Sequence, residues 1–308
     1  MEAALIYSLE REKDPSFKSE TEFLLSSAEV CGVDLSFVSF AVAEEYIYSS
    51  FREAKFLYFY DEDSYLLNLA MGLGVPCFST PRGYAFHHDL GLFYRLMQDK
   101  GIAHPRYFSF PNLKKELPKD FFTYLASKIA SAGISYPFVL RKKDDDGYAP
   151  FLCANAIEFN EFLKKIKDSA WVAEEYLPGP LLMALVIGNR CFGVLEEKAG
   201  RLILASSDSV SLRAQAVRIA STAKNEAAIV MFRLAKEGPL AYGIYPARNL
   251  LHFSKLFGNC PGEALFERLI RAKRDFNPYV YVGSSDLKKN RASAKERPLA
   301  NPHLNRQD

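Results

Sequence analysis

The period of the apolar positions changes several times along this chain, and each change marks an element. "MEAALIYSL" is mostly apolar and predicts a first strand. "SETEFLLSSAEVCG" has helical spacing, opened by a Ser-x-x-Glu capping pattern and closed by a glycine. "VDLSFVSF" and "KFLYFY" predict two more strands, "SYLLNLAMGLG" a short helix and "VPCFS" a fourth strand. This alternation over about the first 80 residues predicts a small parallel α/β domain.

Further along, "DLGLFYRLMQDKGIAHP" puts Leu92, Phe93, Leu96 and Met97 at helical spacing and stops at Lys100-Gly101. "PKDFFTYLASKIASAG" and "IEFNEFLKKIKDS" predict two amphipathic helices, with a strand, "FVL", between them. "WVAEEYL", "LLMALVIGNRCFGVLEEKAG" and "RLILASSDS" predict strands of an antiparallel sheet, with a tight turn at 188–190. "NEAAIVMFRLAKEG" predicts a helix. "LAYGIYPAR" and "LLHFSKLFGN" predict a hairpin of strands, and "GEALFERLIRAKRDF" the last helix. From about Ser284 the apolar pattern ends, and a polar, basic tail predicts disorder.

Composition narrows the classes. The chain has 308 residues, 49% hydrophobic, enough for two or three domains with real cores. A net charge of +2 calls for no membrane surface, nucleic acid or acidic partner. The tail cations Lys288, Lys289, Arg291, Lys295 and Arg297 have no aromatics among them, which argues against stacking on nucleic acid. "AALIYSL" runs straight into "EREKD" and does not read as a signal peptide, and no apolar run is long enough for a bilayer. Five scattered cysteines without a CxxC pair predict reduced thiols and a cytoplasmic protein.

The candidate chemistry begins at "RKKDDDG". Arg141, Lys142 and Lys143 stand directly before Asp144, Asp145, Asp146 and Gly147. A carboxylate about 5 Å from a phosphate repels it by roughly 1–3 kcal/mol at a surface-like dielectric. The segment therefore has three readings: a charged turn paired within the protein, phosphate contact through Arg141 or Lys142, or Mg²⁺ capture by the aspartates. Glu174 and Glu175 adjoin on a strand, so one of them faces inward. Asp89 is placed to cap a helix. Adjacent His87 and His88 on an extended chain point apart, which argues against a metal site there. No Gly-x-Ser-x-Gly and no Cys-His nucleophile arrangement occurs.

In order and spacing, these pieces resemble the ATP-grasp proteins, and most closely the RimK-like glutamate ligases, over roughly residues 1–275. "GLGVPCFSTPRGYAFHHDLGLFYRLMQDKGIAHPRYF" resembles the family's Gly-Val-Pro segment and the helix after it. "YPFVLR" stands at Pro-x-Val-x-Lys, "DDDGYAP" at the glycine-rich loop, "WVAEEYLPG" at the adenine hinge, and "AYGIYPARNLLHFSKLFGNCPG" at the Gly-Val-Asp … Glu-Val-Asn-x-x-Pro-Gly end. The resemblance implies α/β and α+β architecture. An N-terminal domain (1–85) would precede a lid (86–175), a C-terminal subdomain (176–283) and a tail (284–308), with ATP between the two α+β parts.

The resemblance also implies a site. Arg141, Lys142 and Gly147 would face phosphates, and Glu174, Glu175, Tyr176 and Leu177 would hold adenine and ribose. The family makes an acylphosphate that an amine attacks, and two Mg²⁺ ions held by Asp, Glu and Asn neutralise the triphosphate. Those three ligands fall on Tyr245, Phe257 and Asn259, and only the last keeps its type. No Asp or Glu lies between Tyr242 and Cys260. The family's Asp-x-Arg becomes Leu181, Leu182, Met183. Three functions follow: a nucleotide-binding descendant with reduced or lost ligase chemistry, a working ligase using Asp144 to Asp146 or Glu263 for metal, or an interaction protein on the same scaffold. A carboxylate or amine substrate is implied only by the working ligase.

Overall fold

A computed structural model describes residues 2–50, 56–110, 121–142, 150–165 and 170–274. Asp144 to Asp146, Gly147 and the tail expected from 284 lie outside the described residues. Three sheets make up the rest.

The first sheet is parallel, in the order β2-β1-β3-β4, from β1 (Glu2–Tyr7), β2 (Asp34–Ser39), β3 (Leu57–Phe59) and β4 (Cys77–Phe78). β1 is apolar from Ala3 to Ile6 because both its faces are covered: Ala3 and Leu5 enter one core, Ala4 and Ile6 another. Around it lie α1 (Pro15–Val30), α2 (Phe40–Ser50), α3 (Ser64–Gly72) and α4 (Pro81–His88). α1 begins earlier than its Ser-x-x-Glu pattern predicts, since Asp14 accepts from the Ser16 N–H and Pro15 suits the first turn. α2 was not predicted from the pattern.

α5 (Leu90–Asp99) starts where expected, with Asp89 accepting from the Leu92 N–H at 3.0 Å. It leads to an antiparallel sheet, β5-β8-β6-β7, of β5 (Tyr107–Phe110), β6 (Phe138–Lys142), β7 (Phe151–Cys153) and β8 (Trp171–Glu175). α6 (Phe121–Ser131) and α7 (Ala156–Lys165) pack on it around Phe110, Phe138 and Phe159. The third sheet, β11-β10-β9-β12-β13, contains β9 (Leu181–Ile187), β10 (Arg190–Lys198), β11 (Arg201–Leu204), β12 (Ala227–Ala235) and β13 (Gly238–Pro246). Gly188, with φ +59°, makes the tight turn expected between β9 and β10. α8 (Val210–Thr222), α9 (Leu250–Phe257) and α10 (Pro261–Arg274) flank the sheet.

Two predicted elements exchange type. "NEAAIVMFRLAKEG" is strand β12, not a helix. It lies between β9 and β13 and feeds two cores by turns: Ala227 and Ile229 one, Ala228, Val230 and Phe232 the other. A strand buried on both faces shows no polar alternation, so its short apolar run is not separable from a helix by period alone. "LLHFSKLFGN" contains helix α9, not the second strand of a hairpin. Its first turn is satisfied from far away: the Glu20 carboxylate on α1 accepts from the Leu250 N–H at 2.7 Å and the Leu251 N–H at 3.0 Å. Leu250 and Phe253 then bury one face.

Candidate active site

The pairing register places Val139 on β6 opposite Glu174 on β8. Arg141 is two residues along and so shares that face, as a diagonal neighbour of Glu174. Glu174 points inward and is fully buried. The Tyr94 and Tyr242 hydroxyls each donate to its carboxylate at 2.7 Å. Arg141 Nε lies 3.2 Å from Glu174 Oε1, an ion-pair contact whose N–H is not aligned as a hydrogen bond. Arg141 Nη2 donates to the Tyr242 carbonyl at 3.1 Å, and the guanidinium stands 4.3 Å from the centre of the Tyr242 ring.

The electrostatics follow from this enclosure. Burial works against charge on Arg141, yet the Glu174 carboxylate, with Tyr94, Tyr242 and Tyr245 nearby, carries its pKa well above the ordinary arginine value. Burial first, and Glu174 second, push the Tyr94 and Tyr242 phenols upward. A phosphate reaching for Arg141 would compete with a buried carboxylate already in contact.

The other expected residues scatter. Glu175 faces outward and accepts from Arg106, at 2.9 Å from its N–H and 2.7 Å from its Nε. Lys142 is half-buried at the end of β6, paired in register with Trp171. Tyr176 is exposed. Leu177 lines a cavity of about 500 Å³ with Gly179 and Leu234, at the turn that joins β12 and β13.

The three positions that would hold Mg²⁺ each have another partner. Tyr245 sits on β13 with its ring 4.4 Å from that of His87. Phe257, at the end of α9, covers Gly193 on β10 so closely that a Cβ there would lie 2.3 Å from its ring. Asn259 donates through Nδ2 to the Phe192 carbonyl at 2.8 Å, and its buried Oδ1 accepts no hydrogen bond among the described residues. Tyr245 is on strand β13, whereas Phe257 ends helix α9 and Asn259 follows it. Mg²⁺ takes hard oxygen ligands, which a phenyl ring lacks and a neutral phenol supplies poorly, so the residues present do not fit Mg²⁺ there. Glu263 opens α10, where its carbonyl accepts from the Cys31 thiol.

Two features were not anticipated. Asp61 holds two arginines, Arg11 Nη2 at 2.8 Å and Arg248 Nη2 at 3.2 Å, beside a cavity of about 380 Å³ that also receives His252 and Lys255. Next to it, Glu62 meets His87 and His88. α4 is helical to His88, so these histidines are not on an extended chain, and their rings come within 4.5 Å of each other. Burial opposes the Glu62 charge, but the two histidines, with Ser79 nearby, hold its pKa down at about 2. The acids ending the third predicted strand and the His-His pair were both visible in the sequence. Nothing local connected them.

No protein-family model matches this chain, and no curated protein matches it. Solved structures do. The D-alanine–D-alanine ligase from Bacillus anthracis complexed with ATP is 12% identical, with a TM-score of 0.69 over 89% of this chain and 99% of that one. A RimK domain ATP-grasp protein from Sphaerobacter thermophilus is 16% identical, with a TM-score of 0.69 over 88% and 100%. The ATP-grasp ligase PsnB, complexed with minimal precursor, is 13% identical, with a TM-score of 0.60 over 88% and 98%. The chain has the ATP-grasp fold, as its sequence resemblance implied.

Proposed function

We propose that this protein descends from the ATP-dependent carboxylate–amine ligases and has lost their Mg²⁺-dependent chemistry. Residues 1–85, 86–175 and 176–283 are its three structural divisions in this reading. The carrying observation is at the metal positions: Tyr245 packs on His87 and Phe257 on Gly193, and neither offers a carboxylate. The phosphate-facing cation supports the same conclusion, since Arg141 is engaged by Glu174. Nucleotide binding is then weak and indifferent to Mg²⁺, through the backbone around Tyr176 and Leu177.

Calorimetric titration with ATP, with and without Mg²⁺, tests this, followed by an ADP-release assay on the same sample. The expected result is no Mg²⁺-dependent heat and no ADP. Tight Mg²⁺-dependent binding with ADP release would overturn the proposal. A working ligase is the second reading. The cavity beside Asp61 favours it, because Lys255 and His252 line it together with Arg11 and Arg248, and such a cationic lining suits a substrate carboxylate.

A further inference from the structure

We infer that Glu62, His87 and His88, none of them a magnesium position of the ligase family, form a binding site for a borderline divalent cation of the zinc type. One ligand atom from each residue lies within 4.8 Å of the others, the one such cluster among the described residues. Glu62 Oε2 is 2.5 Å from His87 Nδ1 and 3.4 Å from His88 Nε2. Around a tetrahedral Zn²⁺, with bonds of about 2.0–2.2 Å, neighbouring ligand atoms stand roughly 3.3 Å apart. The His88 contact already has that spacing. The His87 contact opens by about 0.8 Å when an ion replaces the hydrogen bond.

The donor set selects the ion. Two imidazoles and one carboxylate suit Zn²⁺ and its neighbours, whereas Mg²⁺ prefers oxygen throughout. Three protein ligands leave a position for water or another small ligand. The surroundings are built rather than incidental. The Glu62 side chain is 1% exposed, His87 4% and His88 15%. The buried Glu62 Oε1 accepts no aligned hydrogen bond among the described residues. The Tyr84 ring packs on His88, with centroids 3.9 Å apart, and the Tyr245 ring meets His87 edge-on. These contacts limit ring rotation, as outer groups do in metal sites.

The location gives the site access and a setting. Glu62 lines a cavity of about 520 Å³ together with Arg11, Asp61 and Arg248. Tyr245 ties the cluster to the third sheet, and Glu62 follows β3 of the first, so a bound ion would pin the two together. The inference is independent of whether nucleotide is bound.

The test uses the full chain without a histidine tag, stripped with chelator, then titrated with Zn²⁺ by calorimetry and with Co²⁺ by visible absorption. One ion per chain is expected, with intense low-symmetry Co²⁺ bands and a raised thermal midpoint. His88→Ala removes the most accessible ligand and is expected to weaken binding by at least about 10- to 100-fold while keeping the fold. Glu62→Gln should do the same, with circular dichroism confirming that it folds. Cys260→Ser should leave affinity unchanged. Absence of Zn²⁺ binding to the wild type, affinity unchanged in both ligand variants, or loss of binding in Cys260→Ser would each overturn the assignment.

Discussion

Arg141 and Glu174 are diagonal neighbours across β6 and β8, with Nε and Oε1 3.2 Å apart; the Glu174 side chain is fully buried and that of Arg141 only 12% exposed. Removing one member leaves the other charged and buried, which typically costs about 3–5 kcal/mol. Arg141→Met is expected to lose that much in denaturant unfolding. Adding Glu174→Gln should recover most of it, because the amide oxygen still accepts from one tyrosine hydroxyl and the amide NH2 can donate to the other. A double variant no more stable than Arg141→Met would refute the pairing as the source of the loss.

The close approach of Phe257 to Gly193 gives a steric prediction. Gly193→Ala places a methyl 2.3 Å from the ring and should destabilise by about 1–3 kcal/mol through overpacking. Phe257→Leu combined with it should be milder than Gly193→Ala alone, as measured by urea midpoints.

Restoring the family's carboxylates should not restore its metal. Tyr245 packs on His87 and Phe257 on Gly193, so Tyr245→Asp with Phe257→Glu sets the two acids against different partners. Calorimetry with Mg²⁺ is expected to show no gain over the wild type. A clear gain would mean that α9 rearranges and that Mg²⁺ chemistry is recoverable.

Alkaline titration reports on the buried phenols. Burial raises Tyr58, Tyr60, Tyr94 and Tyr242 above the usual value of 10.0. A raised folded-state pKa stabilises the fold fully below the unfolded value and loses that contribution as pH rises past it. These four tyrosines should stay neutral above pH 10.0 until the protein unfolds, and the unfolding midpoint should fall over that range. Ultraviolet absorbance of phenolate, read beside circular dichroism, separates the two events. Ionisation of all tyrosines before any loss of fold would contradict the burial.

Thiol reactivity has the same sign. Burial pushes Cys77 and Cys153 up to about 12, so neither is a thiolate near neutrality. Their contribution to stability is complete below pH 9.0 and is lost as pH climbs toward about 12. A thiol-reactive disulfide reagent at pH 8 should reach exposed Cys260 quickly and these two only after denaturation. Fast labelling of Cys77 in the native state would refute its enclosure.

The sequence alone determined much of the architecture. The parallel first domain, the Asp89 cap, the β9–β10 turn and the succession of short matches to the ATP-grasp fold are local signals. Each depends on propensity, capping or period within a few residues. It also determined that no carboxylate lies between Tyr242 and Cys260, which is independent of structure. Alternation on β8 foretold that one of Glu174 and Glu175 turns inward, but not which one.

Only the tertiary structure decided the rest, because the deciding partner lay far along the chain. α9 is a helix with its first turn capped by Glu20, which lies 230 residues before Leu250. β12 is a strand because β9 and β13 hydrogen-bond to it from both sides while cores cover both its faces. Arg141 became a partner of Glu174 instead of an open cation when Tyr94 and Tyr242 closed over them. His87 and His88 came together on Glu62 because the chain there is helical and packs against the end of β3. Local patterns set which elements a segment can form. Burial and long-range hydrogen bonds chose among them, and those terms are absent from any short window of sequence.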